Sequence, residues 1–196
     1  MARPLAFDPQ EKLHQATLLF WRKGYEGTSV QDLVDELGIN RFSLYNTFGD
    51  KEALFEQVIM YYRKNVFGRL AEHFEPASDG LPRLFAYLEA MRDGLFNQPG
   101  PWGCLLQNSV VSTDCYSERL KVVVAEFVDI LHDHILAVLM AAQANGQLSA
   151  DEDAESLTDF ITVHVQGMLM LSRKGEPQLL DNSIMYLKRL LTGQSD

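Results

Sequence analysis

The chain has two cysteines in 196 residues, Cys104 and Cys115, too few for a disulfide-stapled secreted scaffold. It has no uncharged run near the ~18–20 residues that a membrane-spanning helix needs; the stretch 135–142 is apolar but short. The opening Met-Ala-Arg-Pro-Leu-Ala-Phe-Asp lacks the apolar centre of a signal peptide. A reducing, cytoplasmic location without a membrane partner is therefore the expectation. Catalytic signatures are missing as well. There is no Walker loop, no G-x-S-x-G, no H-E-x-x-H and no paired C-x-x-C, so neither an enzyme nor a cofactor is expected.

Positive charge is also scarce. Lys+Arg number 17 against 27 Asp+Glu, for a formal net charge of −10. That argues against a generic polyanion binder. The deficit is uneven, however: residues 1–65 carry −1 and residues 66–196 carry −9. DNA binding remains open to the first third if its basic side chains gather on one face.

What is present is helical periodicity, nearly throughout, with no convincing alternation of strand type. Asp8-Pro9-Gln10-Glu11 reads as a helix start: Asp8 can cap, Pro9 suits the first turn and Glu11 favours the positive end. Leu13, Ala16 and Phe20 share one face, and Gly24 stops the helix. Thr28-Ser29, followed three residues later by Gln31 and Asp32, offers a capping box for a second helix. Leu33, Val34 and Leu37 stripe that helix and Gly38 ends it. Asn40 can cap a third short helix to about residue 48, and Asp50 a long fourth over 51–74. Pro76-Ala77-Ser78-Asp79-Gly80 breaks the chain. Further helices are predicted near 82–97, 103–112, 116–145, 153–172 and 177–191. The fold class is all-α. Residues 1–50 form a three-helix helix-turn-helix unit, 51–75 a connecting helix, and 76–196 a C-terminal helical domain.

Helix, tight glycine turn, helix is the geometry in which the second helix enters the DNA major groove with its first residues at base edges. Those residues are Arg41, Phe42 and Ser43. Arg41 can fork onto guanine O6 and N7, and an exposed Phe42 can meet a thymine methyl. Tyr45, Asn46 and Thr47 follow one turn later. Thr28 and Ser29 open the second helix and Lys51 the fourth, where free backbone N–H groups favour phosphate.

The spacing Leu13, Ala16, Phe20, Gly24-Tyr25, Thr28-Ser29, Leu33, Gly38-Ile39, Ser43-Leu44-Tyr45, Phe48 and Lys51-Glu52-Ala53-Leu54 resembles the DNA-binding domain of the TetR family, without a gap. The resemblance implies a homodimer on a palindromic operator and a C-terminal domain whose small-molecule ligand releases the DNA. It implies phosphate contacts for Tyr45 and Lys51. Arg41, Phe42, Ser43 and Asn46 fall where the family varies with operator sequence. Val34, Phe42 and the pair Asn46-Thr47 depart from the commoner family residues, which leaves the operator sequence unreadable.

The later two thirds match the family only in layout. The resemblance implies that the last two helices pair across a twofold axis, with Leu157, Phe160, Ile161, Val165, Leu169, Ile184, Leu187 and Leu191 as candidate contacts and Gly167 allowing close approach. Candidate pocket residues are Tyr62, Phe85, Met91, Phe96, Trp102, Cys104, Gln107, Phe127, His134, His164 and Met168, although most aromatic and Met residues in such a domain are simply core. Cys104 at a helix start could be an activated thiol or a small packing residue. His132-Asp133-His134 with Asp129 is a poor metal site, because residues two apart on a helix diverge. The competing reading is a TetR-like helical module that binds lipid or another hydrophobic molecule and has no DNA function.

Overall fold

The computed structural model describes residues 7–110, 112, 114 and 116–193; Cys115 falls outside them. The described residues contain helices and no strand. The first four helices are α1 (Pro9–Lys23), α2 (Val30–Leu37), α3 (Arg41–Phe48) and α4 (Lys51–Tyr62). Each begins on a short polar side chain that satisfies an orphan N–H. Asp8 accepts from Gln10 N at 2.9 Å, Asn40 from Ser43 N at 2.8 Å and Asp50 from Ala53 N at 2.8 Å. Ser29 and Asp32 form the reciprocal box, at 3.0 and 2.8 Å. Caps of this type typically contribute about 1 kcal/mol each. Phe20, Leu33, Leu37, Leu44 and Phe55 converge on one core and are almost wholly buried. Each is worth about 1.5–3 kcal/mol of apolar burial.

The expected helix over 51–74 is unbroken along the chain but not uniform. After α4 it passes through a π-helical turn (Arg63–Phe67), α5 (Gly68–Ala71) and a 3-10 turn (Glu72–Phe74). Gly68 N–H donates to Arg63 O, five residues back rather than four. The Asn65 side chain donates to Tyr61 O at 2.9 Å, occupying a carbonyl at the start of the wide turn. Such single-turn bulges concentrate at functional sites.

The remaining helices are α6 (Leu81–Phe96), α7 (Leu105–Val110), α8 (Glu118–Ala144), α9 (Ala154–Leu171) and α10 (Pro177–Thr192). All five lie within two residues of the predicted bounds, with α7 two residues shorter at each end. The long α8 packs on α9, α6, α7 and α4, while α10 lies on α6. Arg92 grips Asp181 through Nε at 2.6 Å and Nη2 at 3.0 Å, a forked pair that ties α6 to α10. His164 and Ser183 share a hydrogen bond at 3.0 Å between α9 and α10, and burial pushes this imidazole below its usual pKa.

One expectation is overturned here. Ile161, Val165, Leu169, Ile184, Leu187 and Leu191 are buried in the chain's own core, so they cannot face a second copy. Leu157 is partly buried against the same core. Of the candidate contacts only Phe160 is exposed. The opposite faces of these two helices carry the uncovered apolar groups: Phe160, Val163 and Met170 on α9, and Leu179, Tyr186 and Leu190 on α10. Both helices are apolar on more than one side, and the inner stripe is the one the core takes.

Candidate nucleic-acid interface

The turn between α2 and α3 is closed by Gly38 at φ 62°, ψ 30°. This is the left-handed region where a Cβ is costly. It sets α3 across α2 with Leu44 and Phe48 inward and Arg41, Phe42, Tyr45 and Asn46 outward. Phe42 is 75% exposed, a large apolar ring held in water at the first turn of the helix. Arg41 Nη2 lies 3.5 Å from Gln31 Oε1 on α2, so the guanidinium rests beside α2 and can turn outward. Ser43 is half-buried.

Thr28 directs its N–H inward, to Tyr25 O at 3.3 Å. Its side chain is wholly buried and its hydroxyl donates to Gly24 O at 2.7 Å. That hydroxyl closes the α1–α2 turn and is not offered to a phosphate. Ser29 stays exposed next to it. Lys51 at the start of α4 places Nζ 4.2 Å from the centre of the Tyr25 ring, so its charge sits against the same turn. The sequence marks Gln31 only as a capping-box partner; the crossing of α2 and α3 is what brings it beside Arg41.

Lys23 at the end of α1 pairs with Asp32 at 2.6 Å. That pair, with the Ser29 hydroxyl and N–H, holds the Asp32 carboxyl well below the usual carboxylate range. A depressed folded-state pKa stabilises above the ordinary carboxylate pKa and is lost as pH falls below it. Wild type and Asp32→Asn should therefore melt at different temperatures at pH 7. Their melting curves should converge as the pH is taken below about 4. Curves that stay equally separated at low pH would contradict this.

Several contacts connect this unit to the later helices. Trp21 Nε1 on α1 donates to Gly103 O at 2.9 Å. Arg119 pairs with Glu56 at 2.8 Å, and Arg63 in the π turn pairs with Glu126 at 2.8 Å. Tyr116 meets Tyr25 edge-on, with 5.3 Å between ring centres.

The candidate pocket residues do not form one group. Tyr62, Met91 and Cys104 line a cavity of about 270 Å3 together with Trp21 and Gln98. Phe85 lies on a separate groove between α6 and α10, and His134 on another beside the connecting helix. Phe127 is core, edge-on to Phe67 at 4.9 Å, and Met168 is also buried. Trp102 meets Trp21 edge-on at 5.8 Å, and Phe96 lies beneath Arg92. Gln107 is buried. The Cys104 thiol is buried and accepts from the Tyr62 hydroxyl at 3.7 Å. Burial pushes the thiol up from its ordinary pKa, the reverse of activation. Among the described residues no group of three or more His, Cys, Asp or Glu is placed to hold a metal ion. No helix there is long and apolar enough to cross a membrane.

The arrangement has known counterparts. Residues 13–58 match the model of "Bacterial regulatory proteins, tetR family", and residues 80–186 match that of "Tetracyclin repressor-like, C-terminal domain". The chain belongs to the TetR family. This TetR-family chain is 28% identical over 174 residues to the HTH-type transcriptional repressor ComR of Escherichia coli, covering 88% of its own length and 83% of that protein. It is 26% identical to the HTH-type transcriptional repressor DhaR of a Mycobacterium species, covering 86% and 85%. In fold it is similar to a cysteine-substituted variant of the TetR family regulator CifR solved with 26-bp double-strand operator DNA. The TM-score there is 0.82 at 24% identity, over 98% of this chain and 100% of that one. It is thus a DNA-binding transcriptional regulator of that family.

Proposed function

We propose that the protein is a cytoplasmic, non-enzymatic homodimeric repressor, held on a palindromic operator by paired α3 helices and released by a small molecule. Residues 1–50 would bind DNA, 51–75 connect, and 76–196 hold effector and partner. The observation that carries the DNA half of this reading is the exposed face of α3, with Phe42 left in water beside Arg41, Tyr45 and Asn46. A ring that could have been buried is held where a thymine methyl would meet it. The reading as a lipid-binding module without DNA function would leave that face unused. ComR and DhaR are named repressors, which favours repression over activation.

The twofold partner is argued from the uncovered faces of α9 and α10. Val163 is 72% exposed and Leu190 57%. Gly167 lies on the outer face of α9, where an added Cβ would meet no atom within 4 Å, so a partner helix can approach closely. A dimer also reads two half-sites about 34–36 Å apart, which a single short helix cannot.

Release requires an effector that binds one arrangement of the helices better than the other. The connecting helix supports this reading, since Lys51 stands at its DNA end and Arg63 reaches α8. Coupling of ~1–3 kcal/mol would change operator affinity about 5–150-fold. The decisive experiment is selection of an operator from random DNA, followed by binding at graded salt. Affinity should fall steeply with salt, and Arg41→Ala should cost ~1–3 kcal/mol and relax one base position in each half-site. Binding that ignores both salt and sequence would defeat the proposal.

A further inference from the structure

Three hollows lie beside the connecting helix or α6, and their walls differ in chemistry. The largest, about 930 Å3, is a groove bordered by Glu56, Glu72, Glu75, Arg63 and Lys64. The second, about 710 Å3, lies over the ion pairs Arg92–Asp181 and Lys188–Glu89, whose charges already satisfy one another. The cavity of about 270 Å3 is walled by Trp21, Tyr62, Met91 and Leu95, with exposed Arg69 and His73 on its solvent side.

Its polar groups are few and unevenly satisfied. Gln98 Nε2 donates to Gly94 O and Gly103 O, both at 3.3 Å. Gln98 Oε1 is buried without a partner among the described residues. A buried acceptor left in this state is unfavourable, and a bound donor would relieve it. The Tyr62 hydroxyl spends its proton on the Cys104 sulfur, and its oxygen already has the Leu105 N–H as donor. Burial pushes both Tyr62 and Cys104 above their ordinary pKa values, so neither brings charge to the interior, and the charged side chains of this cavity, Arg69 and His73, stand at its solvent side.

We propose that this cavity is the effector site and that it takes a compact, uncharged aromatic compound bearing one hydroxyl, that is, a phenol. The assignment deepens the regulator reading above and rests on it. Size restricts the class, because about 270 Å3 falls just below the ~300–1,000 Å3 usual for pockets of drug-sized ligands and admits only a compact guest. Ring walls and the Met91 sulfur suit an aromatic guest. A turn of the Gln98 side chain that brings Oε1 to the cavity would give the hydroxyl its acceptor. The position explains how occupancy reaches DNA. Trp21 belongs to α1 and holds Gly103 O across to the segment before α7, while Val66 on the same wall belongs to the π turn. A guest therefore presses on the first helix of the DNA-binding unit and on the irregular turn of the connecting helix together.

The test is calorimetric titration of the full chain with phenol, 4-ethylphenol and 4-propylphenol, with ethylbenzene as the hydrocarbon lacking a hydroxyl. At least one phenol should bind with Kd below about 1 mM, and 4-ethylphenol should bind about tenfold or more tightly than ethylbenzene. Gly94→Leu fills the cavity from a position where an added Cβ meets nothing within 4 Å. It should abolish binding while leaving the circular dichroism spectrum intact. Gln98→Met should weaken the phenols about tenfold and leave ethylbenzene unchanged. In wild type the tightest phenol should lower operator affinity about fivefold or more, and Gly94→Leu should remove that response. Absence of phenol binding, equal binding of ethylbenzene, or unchanged binding in both variants would overturn the assignment. So would phenols that bind without altering operator affinity. Calorimetry needs no DNA, so a chain that takes phenols yet binds no operator would instead defeat the regulator reading, and with it the effector role.

Discussion

Val163→Glu combined with Leu190→Glu should leave the purified protein monomeric at concentrations where wild type, on the homodimer proposed above, should sediment as a dimer. Both side chains stand on the outer faces of α9 and α10, each more than half exposed, so the substitutions leave the chain's own core untouched. In the free chain a carboxylate at either place is solvated and the fold should melt within about 0.5 kcal/mol of wild type. Across a twofold interface the same carboxylates meet their own copies in a dry apolar surface, where unpaired charge is strongly disfavoured. Operator affinity should fall by about 10²–10⁴-fold, because each half-site is then held separately. Affinity for a single half-site should stay nearly unchanged. Analytical ultracentrifugation and fluorescence anisotropy on full and half operators measure the three quantities. A variant that stays dimeric would place the interface on another face of the molecule.

Phe55→Ala should have the largest effect on stability of any single truncation in the first four helices. The ring is 1% exposed and meets Phe20 edge-on at 4.9 Å, Tyr25 at 4.9 Å and Tyr116 at 5.7 Å between centres. It therefore joins α1, the α1–α2 turn, α4 and the segment leading into α8. Removing it leaves a cavity bounded by three rings, at a cost of about 3–5 kcal/mol. At ~2–4 °C per kcal/mol for a chain of this size, the melting temperature should drop by roughly 6–20 °C. Operator binding should weaken even where the chain remains folded, since the same rings set α1 against α4. Met60→Ala, on the exposed side of α4, is the matched control and should change stability by about 0.5 kcal/mol or less. A loss of equal size in both variants would show that Phe55 has no special place in the packing.

The parts of this molecule that were readable from sequence are those governed by neighbours along the chain. Asp8, Asn40, Asp50 and the Ser29–Asp32 box act within three residues of themselves, and each marks a helix start where the structure has one. Gly38 marks a turn for the same reason. Long-range choices were not legible. α9 is apolar at Ile161, Val165 and Leu169 and again at Phe160, Val163 and Met170. Periodicity finds both stripes but cannot say which one α8 will cover. Thr28 and Ser29 look alike as helix openers, yet Thr28 lies on the inner side of the turn and its hydroxyl is used by Gly24 O. The cavity was half visible. Tyr62, Met91 and Cys104 could be picked as apolar or soft side chains of the later domain. Trp21 and Gln98 come from α1 and from a loop, and only tertiary packing makes them neighbours.

The wide turn at Arg63–Phe67 leaves a trace in the order of buried residues along the connecting helix. Ile59, Tyr62, Phe67, Ala71 and Phe74 are its inward positions. Their steps are three, five, four and three residues. A regular helix advances about 100° per residue, so a five-residue step would swing Phe67 well away from the line of Tyr62. The turn absorbs that surplus residue and restores the phase. Deleting one residue between Tyr62 and Phe67 would give a regular helix with all inward positions in step. The surplus residue is thus accommodated in one turn, and the two halves of the connecting helix keep a common inward line.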